Sequence, residues 1–338
     1  MLHGKWACRL LKWFLFIEES ILANKVMTAA QAVAQIKDGM TIGIGGWGPR
    51  RKPMALIREL LRSDVKDLTV VAYGGADVGM LCAAGKVKKV VFAFVSLDSI
   101  PLEPYFRAAR QSGSIAISEI DEGHMLLGLR AAAWGCPFIP TQVGIGTDLM
   151  KYNTDLKLID SPFDDKQWVA MPAIKLDVAL VHADRADSRG VCQIKGPDVY
   201  MDEWFARAAT KTFVSCDELV ETSAFASEAE ARLIYWERSI TTGVVPTECG
   251  AHPTSCIPAY GVDMKHLLAY NASAKGGGWQ AYFDEFIAGG EADRVGQDDG
   301  VEVGVAEDLG VVVEPDEVGR ALVELLQAVV LEGEPDDT

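Results

Sequence analysis

From Thr28 onward the chain alternates two textures: short apolar runs rich in Val, Ile and Ala, and longer stretches in which apolar residues return every three or four positions. The first reads as strand, the second as amphipathic helix. Thr28 with Gln31 has the pattern of a capping box, and opens an Ala-rich helix that runs to about Lys37 and stops at Asp38-Gly39. A strand over 40–44 follows and ends in glycines. Pro53 then opens a helix whose apolar face is Met54, Leu56, Ile57, Leu60 and Leu61. Further strands are expected over 68–73, 89–95, 114–118, 168–171, 177–182 and 212–215, with helices over 101–112, 122–134 and 201–210.

This alternation implies an α/β fold: an open, largely parallel sheet with helices on both faces, where ligands gather beyond the carboxyl ends of the strands. The pattern bounds a main domain at 27–290. Residues 1–26 read as an appended or misassigned start, because the apolar run at 13–17 is short, is followed by Glu18 and Glu19, and has no small-residue cleavage site. Residues 291–338 read as an acidic appendage with a helix over 317–331.

With 338 residues, of which 49% are hydrophobic, the chain can bury a large core. A net charge of -16 argues against nucleic-acid binding, which needs a Lys/Arg surface. No segment calls for a membrane. Seven scattered cysteines, most in apolar runs, read as small buried hydrophobes in a reducing, cytoplasmic setting. Cys249, His252 and Cys256 form C-x2-H-x3-C, but a Pro-containing loop without a clear fourth ligand is a poor zinc site, and no metal is expected.

The candidate chemistry starts at the first glycine turn. Gly43, Gly45 and Gly48 fit G-x-G-x-x-G, the spacing of a dinucleotide-binding turn. Such a site also wants an acid at the end of the second strand, and here that strand ends in Tyr73-Gly74-Gly75, with Asp64 and Asp67 before it. The turn instead offers backbone N–H groups to another anion, either a phosphate or the oxyanion of a thioester carbonyl, with Arg50, Arg51 and Lys52 alongside. The plainer alternative is a tight strand-to-helix turn with a solvated basic edge.

The stretch Asp38-Gly39-Met40-Thr41-Ile42-Gly43-Ile44-Gly45-Gly46-Trp47, followed by Pro53, resembles the signature of the alpha-type subunit of family I coenzyme A transferases. The segments 137–149, 169–196 and 205–220 are also similar, so the resemblance covers about residues 28–290. Trp47 stands where Phe is usual, and Arg51 where Gly is common. The resemblance implies a fold of that family's type and a separate beta-type chain, assembled as alpha2beta2. It implies an active site at the junction of the two, and an acyl-CoA substrate whose coenzyme A is the only cofactor. In the transferases a glutamate of the beta-type chain attacks the acyl-CoA while the glycine loop, here Gly45, Gly46 and Trp47, holds the oxyanion. Arg50 and Arg51 are the matching candidates for coenzyme A contact.

Residues 46–99 resemble more narrowly a branch of the family that opens a steroid-derived ring by hydrolysing a carbon–carbon bond of a CoA thioester. In that branch the catalytic carboxylate is a glutamate of the alpha chain. The matching segment is Glu119-Ile120-Asp121-Glu122-Gly123-His124, which places it on Glu122, with Glu119 as the fallback. Gln142 stands where many relatives carry Arg. Without the resemblance, Asp121 and Glu122 read as helix caps, and His124 and His182 as packed side chains.

Overall fold

The structure, a computed structural model, describes residues 24–291 apart from residues 101 and 198. Most of the segment 1–26 and nearly all of 291–338, with the helix expected at 317–331, lie outside the described residues. Lys25 and Val26 are tied to the sheet: Val26 bridges Val244, and the Lys25 ammonium donates to the carbonyls of Arg238 and Thr241.

The chain enters through α1 (Ala29–Val33), capped by Thr28, whose hydroxyl accepts from Gln31 N–H while the Gln31 amide accepts from Thr28 N–H. This helix stops four residues short of Lys37 (Val33 to Lys37), because single turns bring Ile36 down into the core. There follow β1 (Thr41–Trp47), α2 (Met54–Arg62), β2 (Leu68–Gly74), α3 (Ala76–Ala83), β3 (Val87–Val95), α4 (Pro104–Ser112), β4 (Ala116–Glu119) and α5 (Glu122–Ala133). The middle of the chain forms β5 (Phe138–Thr141), α6 (Leu149–Tyr152), β6 (Lys157–Asp160) and β7 (Gln167–Pro172). It then returns as β8 (Leu176–Asp187), β9 (Cys192–Gln193), α7 (Asp202–Ala208), β10 (Ala209–Val220), α8 (Glu228–Ala231), β11 (Gly243–Pro246), α9 (Met264–Ser273) and α10 (Trp279–Phe286).

Among the described residues the main sheet runs in the order β11-β10-β8-β1-β2-β3-β4, parallel throughout, with β9 hairpinned antiparallel onto β8. The chain steps outward from β1 to β4, then returns to build the other half outward from β8. The strand order therefore reverses between β1 and β8, which is where a doubly wound sheet opens a crevice at its carboxyl edge.

Residue parity separates two cores. Val70 and Ala72 of β2 face α2 with Ile42 and Ile44 of β1, whereas Val71 and Tyr73 face α5 with Met125 and Leu129. The expected open parallel sheet is therefore present, with one displacement. The strand expected over 168–171 belongs to a separate antiparallel sheet, β5-β7-β6. Its burial gives the reason: only Val169 and Met171 are covered, a one-faced alternation, whereas β8 is buried almost continuously, as a central parallel strand must be.

Glu103 anchors the far side of the sheet. Its carboxylate caps α4 by accepting from Phe106 N–H at 2.5 Å and accepts the Tyr270 hydroxyl of α9 at 2.6 Å. Burial outweighs these bonds and raises its pKa to about 7. Because the folded protein holds this proton more tightly than the unfolded chain does, the group's contribution is complete at low pH and is lost as pH rises through about 7. Stability is expected to fall, relative to a Glu103→Gln variant, by about 3 kcal/mol between about pH 4.5 and about pH 7.5. Urea denaturation of both proteins across that range checks this, and parallel pH profiles would contradict it.

Candidate functional site

The glycine turn ends β1 at the reversal point. Gly45 has no side chain because α7 lies against it: a Cβ there would stand 2.6 Å from the Asp202 carboxylate. Gly46 takes φ +74°, and a Cβ would meet the carbonyl oxygen of Arg50 at 2.5 Å. The turn then folds back on itself. Gly46 N–H donates to Asp202 Oδ1 at 2.7 Å, Trp47 N–H to the Arg50 carbonyl at 2.9 Å, and Gly48 N–H to the Tyr73 carbonyl at 3.2 Å. The amides expected from Gly46 and Trp47 as oxyanion donors are thus already engaged within the protein.

The three cations after the turn also separate. Arg51 is fully buried, with its guanidinium on Asp202 and on the carbonyls of His182 and Val199. Lys52 is buried too; it pairs with Asp77 at 3.2 Å and donates to the Tyr73 carbonyl at 2.6 Å, and burial lowers its pKa despite Asp77. Arg50 alone of the three reaches the surface, where it meets Asp98 at 2.8 Å and lies 5.2 Å over the Trp47 ring. Of the two candidates for coenzyme A contact, Arg50 thus stands at the surface, while Arg51 is buried in the framework.

Trp47 begins an aromatic floor along the carboxyl edge. It stacks on Tyr200 at 5.5 Å and meets Phe94 edge-on at 4.7 Å, and Phe94 lies 5.8 Å from Tyr73. The Tyr73 hydroxyl donates to the carbonyl of Glu122 at 2.8 Å, which joins this floor to the start of α5. Burial, then the charges of Glu122 and Asp121, push the Tyr73 phenol well up, so it remains a donor.

Sheet parity also separates the two candidate glutamates. The side chain of Glu119 is paired with Arg110 of α4 at 2.7 Å, and Arg110 lies over Phe92, on the α2 and α4 side of the sheet. Glu122 opens α5 on the opposite side, with Tyr73, Phe94 and Trp47, and is exposed. Asp121 caps the helix by accepting from Gly123 N–H at 2.7 Å. The positive end of α5 favours an anion at Glu122. His124 is buried against Gly144, and burial lowers its pKa, so it is a neutral packed side chain. Gln142 is exposed in the turn that also carries Val143, which packs on Gly123.

Asp202, Tyr73, Phe94 and Tyr200 went unsingled in the sequence. Asp202 reads there as an ordinary first-turn acid of α7, and nothing local marks its partners. The C-x2-H-x3-C set does not converge. His182 and Asp217 surround Cys256, while His252 bonds Asp263 at 3.0 Å. Among the described residues no helix is long and apolar enough to cross a membrane.

The sequence profile of the coenzyme A transferase family matches residues 26–232. The chain is 44% identical over 278 residues to the cholesterol ring-cleaving hydrolase IpdA subunit of Rhodococcus jostii, covering 80% of this chain and 94% of that one. It is 30% identical to a subunit of the glutaconate CoA-transferase of Acidaminococcus fermentans, covering 78% and 86%. The crystal structure of that transferase superposes with a TM-score of 0.78 at 26% identity, over 82% of this chain and 93% of the other. A variant of the decarboxylase AibA/AibB superposes with a TM-score of 0.70 at 27% identity, over 78% and 98%.

Replacing Asp202 by Ala leaves Arg51 buried without its counter-ion and Gly46 N–H without an acceptor. The expected cost is about 3–5 kcal/mol, read from the urea midpoint. A loss below about 1 kcal/mol, the range of exposed pairs, would show that the pair is not buried in solution.

Proposed function

The chain belongs to the coenzyme A transferase family, and on that premise we propose that it is the alpha subunit of a CoA-thioester hydrolase that opens a carbocyclic ring in steroid breakdown. The observation that carries this reading is the 44% identity to a subunit named for cholesterol ring cleavage, extending over 94% of that relative. The site agrees with it chemically, since an exposed glutamate opens a helix beside an apolar aromatic floor suited to a ring system.

In this reading Glu122 acts as general base. It takes a proton from water, and the hydroxide oxygen bonds to a ring carbonyl carbon of a 1,3-dicarbonyl. The resulting oxyanion collapses to a carboxylic acid as the ring C–C bond breaks, and its electron pair passes into the enolate of the second carbonyl. Glu122 returns the proton to that carbon. One water is consumed, and no cofactor beyond the coenzyme A of the substrate is required. The positive end of α5 lies on the path of this charge. Because Gly46, Trp47 and Gly48 spend their amides internally, further oxyanion donors are expected from the partner. Arg50, paired with Asp98 at the rim, is the contact assigned to the coenzyme A portion.

The relatives are named as subunits, which supports a partner; we assign a beta-type chain in an alpha2beta2 assembly. Exposed Phe138, Tyr152 and Phe163, in and around the small sheet, supply apolar surface for it. The free cysteines suit the cytoplasm.

A second reading, the alpha subunit of an acyl-CoA:carboxylate CoA-transferase, is favoured by the superposition on glutaconate CoA-transferase. There the nucleophilic glutamate lies in the partner and Glu122 is only a helix-end residue.

Variants of the two glutamates in the complex with its beta-type chain separate these readings. Glu122→Gln is expected to lower kcat for ring opening by roughly 10²–10⁴-fold with little change in KM, and Glu119→Gln to stay near the parent. Parental kcat in Glu122→Gln would remove the base from this residue.

A further inference from the structure

The turn that clasps the glycine loop holds an independent cluster. His182 of β8, Asp217 of β10 and Cys256 of the segment between β11 and α9 bring their ligand atoms within 4.8 Å of one another. His182 and Cys256 have no exposed surface. The Ser215 hydroxyl lies 2.9 Å from His182 Nδ1 and 3.4 Å from the Val181 carbonyl. When it gives its one hydrogen to Val181 it accepts from the Nδ1–H, and Nε2 then turns a lone pair to Asp217 Oδ1 at 3.3 Å. Two lone pairs so placed repel unless a proton or a metal cation lies between them.

The surroundings ask for the same charge. Among the described residues, Asp217 Oδ2 and Asp184 Oδ1 are buried and have no hydrogen-bond partner, and the neighbouring guanidinium of Arg51 is already on Asp202. Asp217 Oδ1 receives Gly250 N–H at 2.9 Å and the Tyr260 hydroxyl at 3.2 Å, both neutral donors.

We propose that this cluster binds a zinc ion through His182 Nε2, the Asp217 carboxylate and Cys256 Sγ, with a water as fourth ligand. Imidazole, carboxylate and thiolate together are zinc donors, whereas magnesium and calcium take oxygen alone. Bonds of about 2.0–2.3 Å place tetrahedral neighbours roughly 3.3–3.7 Å apart, and the His182–Asp217 separation of 3.3 Å already meets this. Ser215 orients the imidazole from behind. Binding displaces the Cys256 thiol proton to solvent, and the ion replaces it as the partner of the sulfur.

The ion is structural and lies outside the hydrolytic chemistry. It pins the segment that holds the glycine turn: Ser255 accepts from Arg51 N–H at 2.7 Å and donates its own N–H to Pro49 at 3.1 Å, and Gly250 accepts from Ala55 N–H at 2.8 Å. The Thr254 hydroxyl accepts from Lys52 N–H at 3.0 Å.

The test uses the full chain purified with its beta-type partner and dialysed against metal-free buffer. Metal analysis is expected to find about one zinc per chain, and cobalt(II) exchanged into the site is expected to give a thiolate-to-cobalt charge-transfer band. Both should vanish in Cys256→Ser, and chelation should lower Tm. Absence of retained zinc together with absence of the band would overturn the proposal in favour of a protonated His182 paired with Asp217. Zinc without a thiolate band, or a band that persists in Cys256→Ser, would place the metal elsewhere and equally overturn it. If Cys256→Ser does not fold, the cobalt spectrum of the unaltered chain decides.

Discussion

Asp202 holds the Arg51 guanidinium and the Gly46 amide at once, deep beneath the point where the strand order reverses. A buried cation and a buried carboxylate each carry a heavy desolvation penalty, so neither can leave without exposing the other. That mutual requirement fixes the glycine turn to α7. The rest follows from it: Gly45 must lack a side chain, Arg50 is turned outward to Asp98, and Trp47 lies flat on Tyr200. The turn is a wall of the crevice, and the proposed chemistry falls to the residues around it.

That division shapes the proposed mechanism. The wall meets the aromatic floor of Trp47, Tyr200 and Phe94, and Tyr73 carries the connection across to α5 by donating to the Glu122 backbone. The carboxylate of Glu122 is left in the open at a positive helix end, where an anion is favoured and a proton can be exchanged. Glu119, three residues earlier (119 against 122), is turned to the other side of the sheet by the same alternation that built the two cores.

Much of this was legible in the sequence. The alternating textures specify the parallel sheet, and the glycines with the Asp-Gly-strand pattern mark the turn. The identity of the turn's partners was not legible, because the acceptor for Gly46 lies 156 residues away. Arg51 and Lys52 look alike as charges next to Arg50, yet their counter-ions, Asp202 and Asp77, sit in helices whose sequence gives no hint of convergence. The small sheet was readable in principle, since alternation at 169 and 171 differs from the continuous apolar run of β8; the parity of burial, not strand propensity, carries that information. Likewise, C-x2-H-x3-C reads in the sequence as a poor local metal site, while the fold sends Cys256 to His182 and Asp217 on neighbouring strands.

Whether water or a second carboxylate receives the acyl fragment decides between ring hydrolysis and coenzyme A transfer. The complex of this chain with its beta-type partner, given a cyclic 1,3-dicarbonyl CoA thioester and acetate in water enriched in heavy oxygen, answers this by mass spectrometry. Hydrolytic ring opening predicts one heavy oxygen in the new carboxylate of the opened product and no acetyl-CoA. An intact ring with acetyl-CoA formed at its expense would contradict it and assign the chain to coenzyme A transfer.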